Sequence, residues 1–345
     1  MAQNRAEFAN FLCHFSKDFV FLDYLEAIVL PAFTDDTMIR SRGSENRRDY
    51  HFYDVNLDVL DDSGDEPILA ISGHFVKDVN LIRTQIYDKD KGLVEDHDSI
   101  ESSPSSFFLL IINNHKLVFY PETPYAPSIG EFQSTVKRFV FDKYNGFINN
   151  RYAALNENTD QTAKGGKITK KRLREENPQP NIQIVSLTNP QSIHDFVLQF
   201  EKLVSIDFRI LRPNPTFDAE EAFGQLRGVL TDLGADNAKL NTSNNSDGLN
   251  KKAAIEVIDQ AALGGNQEVS LKGNTFDGAS ISGNNNDFKA TVPINNADGT
   301  RRSLVELLYA AMIATVSGSM NSDGHQQKHK NVLSRLAERI KSSMG

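Results

Sequence analysis

The spacing of apolar residues divides the chain into alternating rhythms. From Glu7 to about Ala32, Phe8, Phe11, Leu12, Phe15 and Phe19 recur at helical spacing, which predicts a helix. Thr34 to Asp49 is polar and arginine-rich and reads as a loop. A period of two follows: Tyr53, Val55, Leu57 and Val59 face one way, and Asp54, Asn56 and Asp58 the other, as in a half-buried strand. Asp61 to Asp65 forms a turn, and Ile68 to Val76 a second strand of the same hairpin. Val79 to Tyr87 predicts a third strand, followed by an acidic, serine-rich loop. Phe107 to Ile112 and Lys116 to Tyr120 make another hairpin about Asn113-Asn114. Ser128 and Glu131 have the spacing of a reciprocal helix cap. The helix behind them buries Phe132, Val136, Phe139 and Val140 and fades near Asn145-Gly146.

Residues 156–180 are polar and poor in apolar positions, and they read as a linker. Beyond it, Ile182 to Leu187 predicts a short strand. Asn189 then caps a helix with Pro190 at its first position, where a missing N–H costs nothing. That helix runs straight into a strand carrying Ile206, Phe208 and Ile210 on one face. Asp218 caps the next helix, which ends at Gly234. A strand near Ala238 to Thr242, a helix from Leu249 to Leu263, and strands at Val269 to Leu271 and Phe288 to Val292 follow. Helices over Ser303–Ser317 and Lys328–Ser342 close the chain. The pattern predicts an α+β protein: residues 1–155 a mainly antiparallel sheet with helices, 156–180 a basic linker, and 181–345 a second α/β-type domain with β-α-β segments.

Composition narrows this further. No stretch of the 345 residues approaches the roughly 20 apolar positions needed to span a bilayer. The N-terminus lacks the apolar core of a signal peptide, and the single cysteine, Cys13, suits a reducing compartment, so a cytoplasmic location is expected. Twenty-two Phe and no Trp imply a core filled by phenyl rings. The net charge of −9 argues against polyanions, but charge is segregated along the chain. Asp54 to Glu66 holds six carboxylates and no base, and acid recurs across Asp88 to Glu101. Base gathers at Arg40, Arg42, Arg47 and Arg48, at Lys164 to Arg174, at Arg301 and Arg302, and from Lys328 to Lys341.

Catalytic and metal patterns are absent or weak. His325 and His329 share helical spacing but lack a third ligand, so no metal and no cofactor is expected; His14, His51, His74, His97, His115 and His194 show no ligand spacing. Cys13 lies among Phe11, Leu12 and Phe15, a core setting. No phosphate-binding glycine loop occurs, nor a nucleophile elbow. Asp54, Asp58, Asp61 and Asp62 would be the carboxylates of a metal-dependent nuclease, or simply the wet face of a strand. Glu268 and Lys272 stand about 13 Å apart on an extended segment, too far for one metal site.

Binding is left. Lys164, Lys167, Lys170, Lys171, Arg172 and Arg174 can track a phosphate backbone by Coulombic attraction and counterion release, or form a solvated connector. On the last helix, Lys328, Arg335 and Arg339 form a basic stripe beside the apolar Val332, Leu333, Leu336 and Ile340.

The run Lys116 to Glu122, then Pro127-Ser128, then Leu203 to Pro215, ending in Arg212-Pro213-Asn214-Pro215 ahead of Asp218, resembles a bacterial and prophage domain family. That family is itself similar to the A component of the lambda Rex phage-exclusion system. The resemblance covers Phe107 to Asp277, about half the chain. It implies a non-enzymatic, homodimeric protein of antiviral defence, by phage exclusion or abortive infection, that binds double-stranded DNA with little sequence preference beside a membrane-protein partner. The nine basic residues named above come from charge clustering, not from the resemblance. A protein-interaction subunit and a metal-dependent nuclease are the alternatives.

Overall fold

A computed structural model describes residues 4–15, 19–44, 47–157, 168–211, 223–235, 237–262, 267–296, 299–315 and 326–344. The chain is α+β. A large antiparallel sheet runs β13 (Thr291–Pro293), β1 (Arg5–His14), β7 (Lys116–Pro121), β6 (Ser105–Ile111), β4 (Ile68–Asp88), β3 (Arg48–Asp61) and β2 (Arg40–Arg42). Two more strands join along free stretches of the long ones: β8 (Asn181–Ser186) beside β1, and β5 (Gly92–Ser102) beside β4.

One face of this sheet is covered by a helical layer. It comprises a segment that begins as a tight turn at Phe21–Tyr24, widens over Leu25–Val29 and ends as α1 (Leu30–Thr34), together with α2 (Ile129–Glu157) and α8 (Gln327–Met344). The opposite face packs on α7 (Arg301–Thr315) through Phe8, Phe107, Leu109 and Leu308. Phenyl rings fill the first layer as composition predicts. Phe132 of α2 meets Phe33, Phe52, Phe75, Phe108 and Phe119 at centroid distances of 5.2 to 6.3 Å.

The second sheet, β10 (Asn237–Ser243), β9 (Phe200–Leu211), β11 (Gln267–Thr275) and β12 (Ser280–Asn284), is antiparallel throughout. β10 and β11 both oppose β9 and therefore run parallel to each other. With α6 (Lys251–Ala262) between them in sequence, they form the expected β-α-β unit, split by β9. α4 (Pro190–Gln199), α5 (Gly224–Leu233) and α6 cover one face of this sheet, around Phe208, Ile210 and Ile258. Leu12, Val185 and Leu211 join the two sheets.

Several expectations need correction. The helix expected over Glu7 to Ala32 is helical only from Phe21 onward, and its first part is a strand: Ala9, Phe11 and Cys13 face one layer and Ala6 and Phe8 the other. A strand buried on both faces is apolar without alternation, so its spacing imitates a helix. The loop 34–49 contains β2 and the start of β3. The alternation of β3 changes phase at a register shift between Tyr53 and Asn56, so Phe52 points inward, Tyr53 lies exposed, and Val55 and Leu57 again meet the core. The second and third strands are one 21-residue strand, β4, and the acidic loop after it is β5. α2 continues past Gly146 to Glu157. Within the expected linker, residues 170–176 form a helix, α3 (Lys170–Glu176), anchored by buried Leu173. Residues beyond 180 also return to the first sheet as β8 and β13, and to its two faces as α7 and α8. The caps at Ser128 and Asn189 and the stop at Gly234, with φ of 65°, stand as predicted. Arg212 and Asp218 lie outside the described residues.

Candidate interaction surfaces

The basic residues expected to meet phosphate lie in three settings. Lys164 and Lys167 are outside the described residues. Lys170, Lys171, Arg172 and Arg174 sit on α3, whose first turn is capped by the Thr169 hydroxyl accepting from the Arg172 N–H at 3.2 Å. Each has company. Lys170 lies 5.3 Å from the Tyr152 ring centre, Lys171 is 4.0 Å from Glu175, Arg172 is 2.9 Å from Glu176, and Arg174 donates to Asn145 at 3.4 Å.

The stripe on α8 is engaged more deeply. Leu333, Leu336 and Ile340 bury the apolar face as the pattern predicts, with Val332 partly buried beside them and Ala337 joining them. The basic edge then closes on carboxylates of the first helical segment. Lys328 reaches Asp23 at 2.6 Å and His329 reaches the same oxygen at 3.0 Å. Arg335 and Arg339 both pair with Glu26, and Lys341 pairs with Asp62. Burial opposes ionisation of Asp23, but hydrogen bonds from Lys328, the Val20 N–H and His329 outweigh it and hold the carboxyl below its ordinary range. His329 is thus a buried partner of Asp23, not part of a solvated tail; His325 is outside the described residues.

The acidic stretch has no metal geometry. Arg301 at the start of α7 grips Asp58 with two bonds of 3.1 Å, and Ser72 shares that network. Asp54 lies 3.8 Å from Arg301, Asp61 accepts from the Ser63 N–H and hydroxyl, and Asp62 meets Lys341. Among the described residues no group of three or more His, Cys, Asp or Glu side chains is placed to hold a metal ion. Glu268 instead pairs with Arg209 at 3.0 Å. Burial pushes the Cys13 thiol up, against any role as a thiolate nucleophile. Among the described residues no helix is long and apolar enough to cross a membrane.

A cleft of about 690 Å³ separates the start of α2 and the β8 edge from the polar face of the second sheet. Its polar side chains largely serve the fold. Gln133 accepts from the Ile184 N–H at 2.9 Å, Asn285 accepts from the Val269 N–H at 2.6 Å, and Asp207 and Arg209 are bonded to Asn241 and Glu268.

The surface that the sequence pattern missed is an arm. Beyond Val79, which pairs with Arg48 at the start of β3, β4 pairs among the described residues only with β5, from Val79 opposite Ser102 to Asp88 opposite Gly92. Ten residues at strand rise extend about 30 Å. The tip closes on Asp88, whose carboxylate accepts from the Asp90 and Lys91 N–H groups at 2.8 and 2.9 Å, and on Gly92, at φ 76°. Register puts Leu81 opposite Ile100 and Tyr87 opposite Leu93 on one face; Tyr87 is 72%, Leu93 67% and Ile100 61% exposed. Between these pairs Arg83 reaches Asp96 at 2.5 Å and Asp98 at 3.3 Å. The signal available in sequence was the Asp88-to-Gly92 turn between Tyr87 and Leu93, masked by the density of Asp, Glu and Ser.

No family model matches the chain, and no curated protein matches it.

Proposed function

We propose that this protein acts by docking another protein, with the β4–β5 arm as its docking element. The supporting observation is the arm itself. Six large apolar side chains, Leu81, Ile82, Ile86, Tyr87, Leu93 and Ile100, stand in solvent on a two-stranded ribbon with no layer over either face among the described residues. Large apolar side chains exposed on both faces of a projecting element are characteristic of a contact site, and an isolated two-stranded ribbon is marginal in water until something covers it. The resemblance to Rex-type exclusion adds an anti-phage setting and a membrane-bound effector to this proposal. A photo-activated cross-linker placed at Tyr87 in the full-length protein, irradiated in the native host, tests it. A discrete protease-sensitive adduct, lost when Leu93 and Ile100 are both changed to Glu, is expected. Absence of an adduct, or a nuclease-sensitive one, overturns the reading.

A second reading, non-specific binding of double-stranded DNA, draws on α3 alone. Lys171 is 88% exposed and its partner Glu175 is exposed too, and surface pairs of this kind are worth about 0–1 kcal/mol, little enough for a phosphate to displace. It predicts affinity that falls steeply with salt and falls for every DNA sequence when Lys170, Lys171, Arg172 and Arg174 are changed to Glu. Binding indifferent to both would remove it.

A further inference from the structure

Resting on the docking reading, we propose that the outer edge of β5 accepts an extended segment of a partner protein as an added strand, and that this segment alternates apolar and basic side chains. Three features of the arm converge on that chemistry. The first is geometric. β5 pairs with β4 on one side and with no other strand among the described residues, so one row of its backbone N–H and C=O groups is open to a strand partner. Strand addition to such an edge takes its affinity from main-chain hydrogen bonds and its specificity from alternate side chains.

The second feature is charge. β5 carries Glu95, Asp96, Asp98 and Glu101 and neither Lys nor Arg. Arg83 answers Asp96 and Asp98, while Glu95 and Glu101 have no ion pair among the described residues. An acidic edge opposes a second copy of itself, since pairing β5 with β5 would set carboxylate against carboxylate, and it repels nucleic acid. The charges that commonly protect an exposed edge from self-association here leave it open to a basic strand.

The third feature is the side-chain order. Leu93 and Glu95 oppose Tyr87 and Gln85, and Asp98 and Ile100 oppose Arg83 and Leu81, with a register shift between Arg83 and Gln85. Leu93, Glu95, Asp98 and Ile100 therefore share one face of the ribbon, apolar at both ends and acidic in the middle. A complementary strand presents apolar, basic, basic and apolar side chains at every second position.

The test uses the full chain and two fluorescent seven-residue peptides of sequence Val-Thr-Lys-Thr-Lys-Thr-Val and Val-Thr-Glu-Thr-Glu-Thr-Val. Anisotropy should show the lysine peptide binding and the glutamate peptide failing to bind. Amide hydrogen exchange should slow along 92–102 when the lysine peptide is added. Combining Glu95→Lys with Asp98→Lys, at exposed side chains of the proposed contact face, should weaken binding about tenfold, the size expected from losing two exposed ion pairs and gaining repulsion. Equal binding of both peptides, or none at millimolar concentration, overturns the proposal. So does protection confined to 80–88 with a doubled mass in light scattering, which would mean that a second copy pairs through β4. A protein adduct from the Tyr87 cross-linker that survives the double Lys variant leaves the docking reading standing and removes the basic-strand inference; loss of the adduct from the otherwise unmutated cross-linking protein removes both.

Discussion

Gly73 lies on β4 where β3 shifts register, and its missing side chain makes room for that shift. A Cβ there would stand 2.9 Å from the Val55 methyl, 3.0 Å from the Val55 Cα and 3.2 Å from the Tyr53 carbonyl oxygen. Backbone cannot yield as a side chain tip can, so Gly73→Ala should destabilise by about 1–3 kcal/mol, read as a lower denaturant midpoint with unchanged slope. Asp35 offers a titratable counterpart. The hydrogen bond from Lys143, with those from the Thr37 hydroxyl and N–H, lowers its pKa to about 2. A depressed carboxyl contributes stability that is present above its unfolded value near 4 and is lost as pH falls toward 2. Melting temperature measured across that window should fall more steeply for the wild type than for Asp35→Asn. Neither residue announces this role in sequence: glycine in a strand marks some close approach, but only the fold says to what.

Among the elements, those with a local chemical signature were legible and those defined by distant partners were not. Ser128 and Glu131 bond reciprocally, the N–H of Ser128 to the Glu131 carboxylate at 2.8 Å and the N–H of Glu131 to the Ser128 hydroxyl at 3.3 Å, as their spacing predicts. β1 was misread because what makes it a strand lies more than a hundred residues away in β7, β8 and β13. The amphipathic division of α8 was visible, but the destination of its basic edge was not, because Asp23 and Glu26 are some 300 residues upstream. What holds α8 can be separated by mutation. Leu336→Ala should cost about 2–5 kcal/mol, whereas Glu26→Gln should cost under about 1 kcal/mol, since it removes only exposed ion pairs. Chemical denaturation of the two variants makes the comparison, and equal losses would mean that charge holds the helix as firmly as packing does.

Over the whole molecule, charge that is segregated along the chain becomes intermixed in space. The acidic run from Asp54 finds Arg301, and Asp62 finds Lys341. The stripe that looked like a ready face for a polyanion spends itself on the protein's own carboxylates, and the acidic segment from Asp88 to Glu101 becomes part of a projecting arm. Because arm residues contribute nothing to the core, replacing residues 80–101 by a short turn should leave thermal stability nearly unchanged while abolishing cross-linking from this region.

β1 borders Lys116 to Phe119 on one edge and Asn181 to Ser186 and Thr291 to Pro293 on the other. During synthesis, therefore, β1 waits for segments up to nearly three hundred residues downstream before its seat is complete. A fragment ending at residue 157 retains the phenyl-rich layer but leaves one flank of that strand bare, and should precipitate or recruit chaperones where the full chain does not. Topologies that postpone closure in this way fold slowly, so refolding after dilution from denaturant should be dominated by a late, slow phase that vanishes when the C-terminal third is deleted.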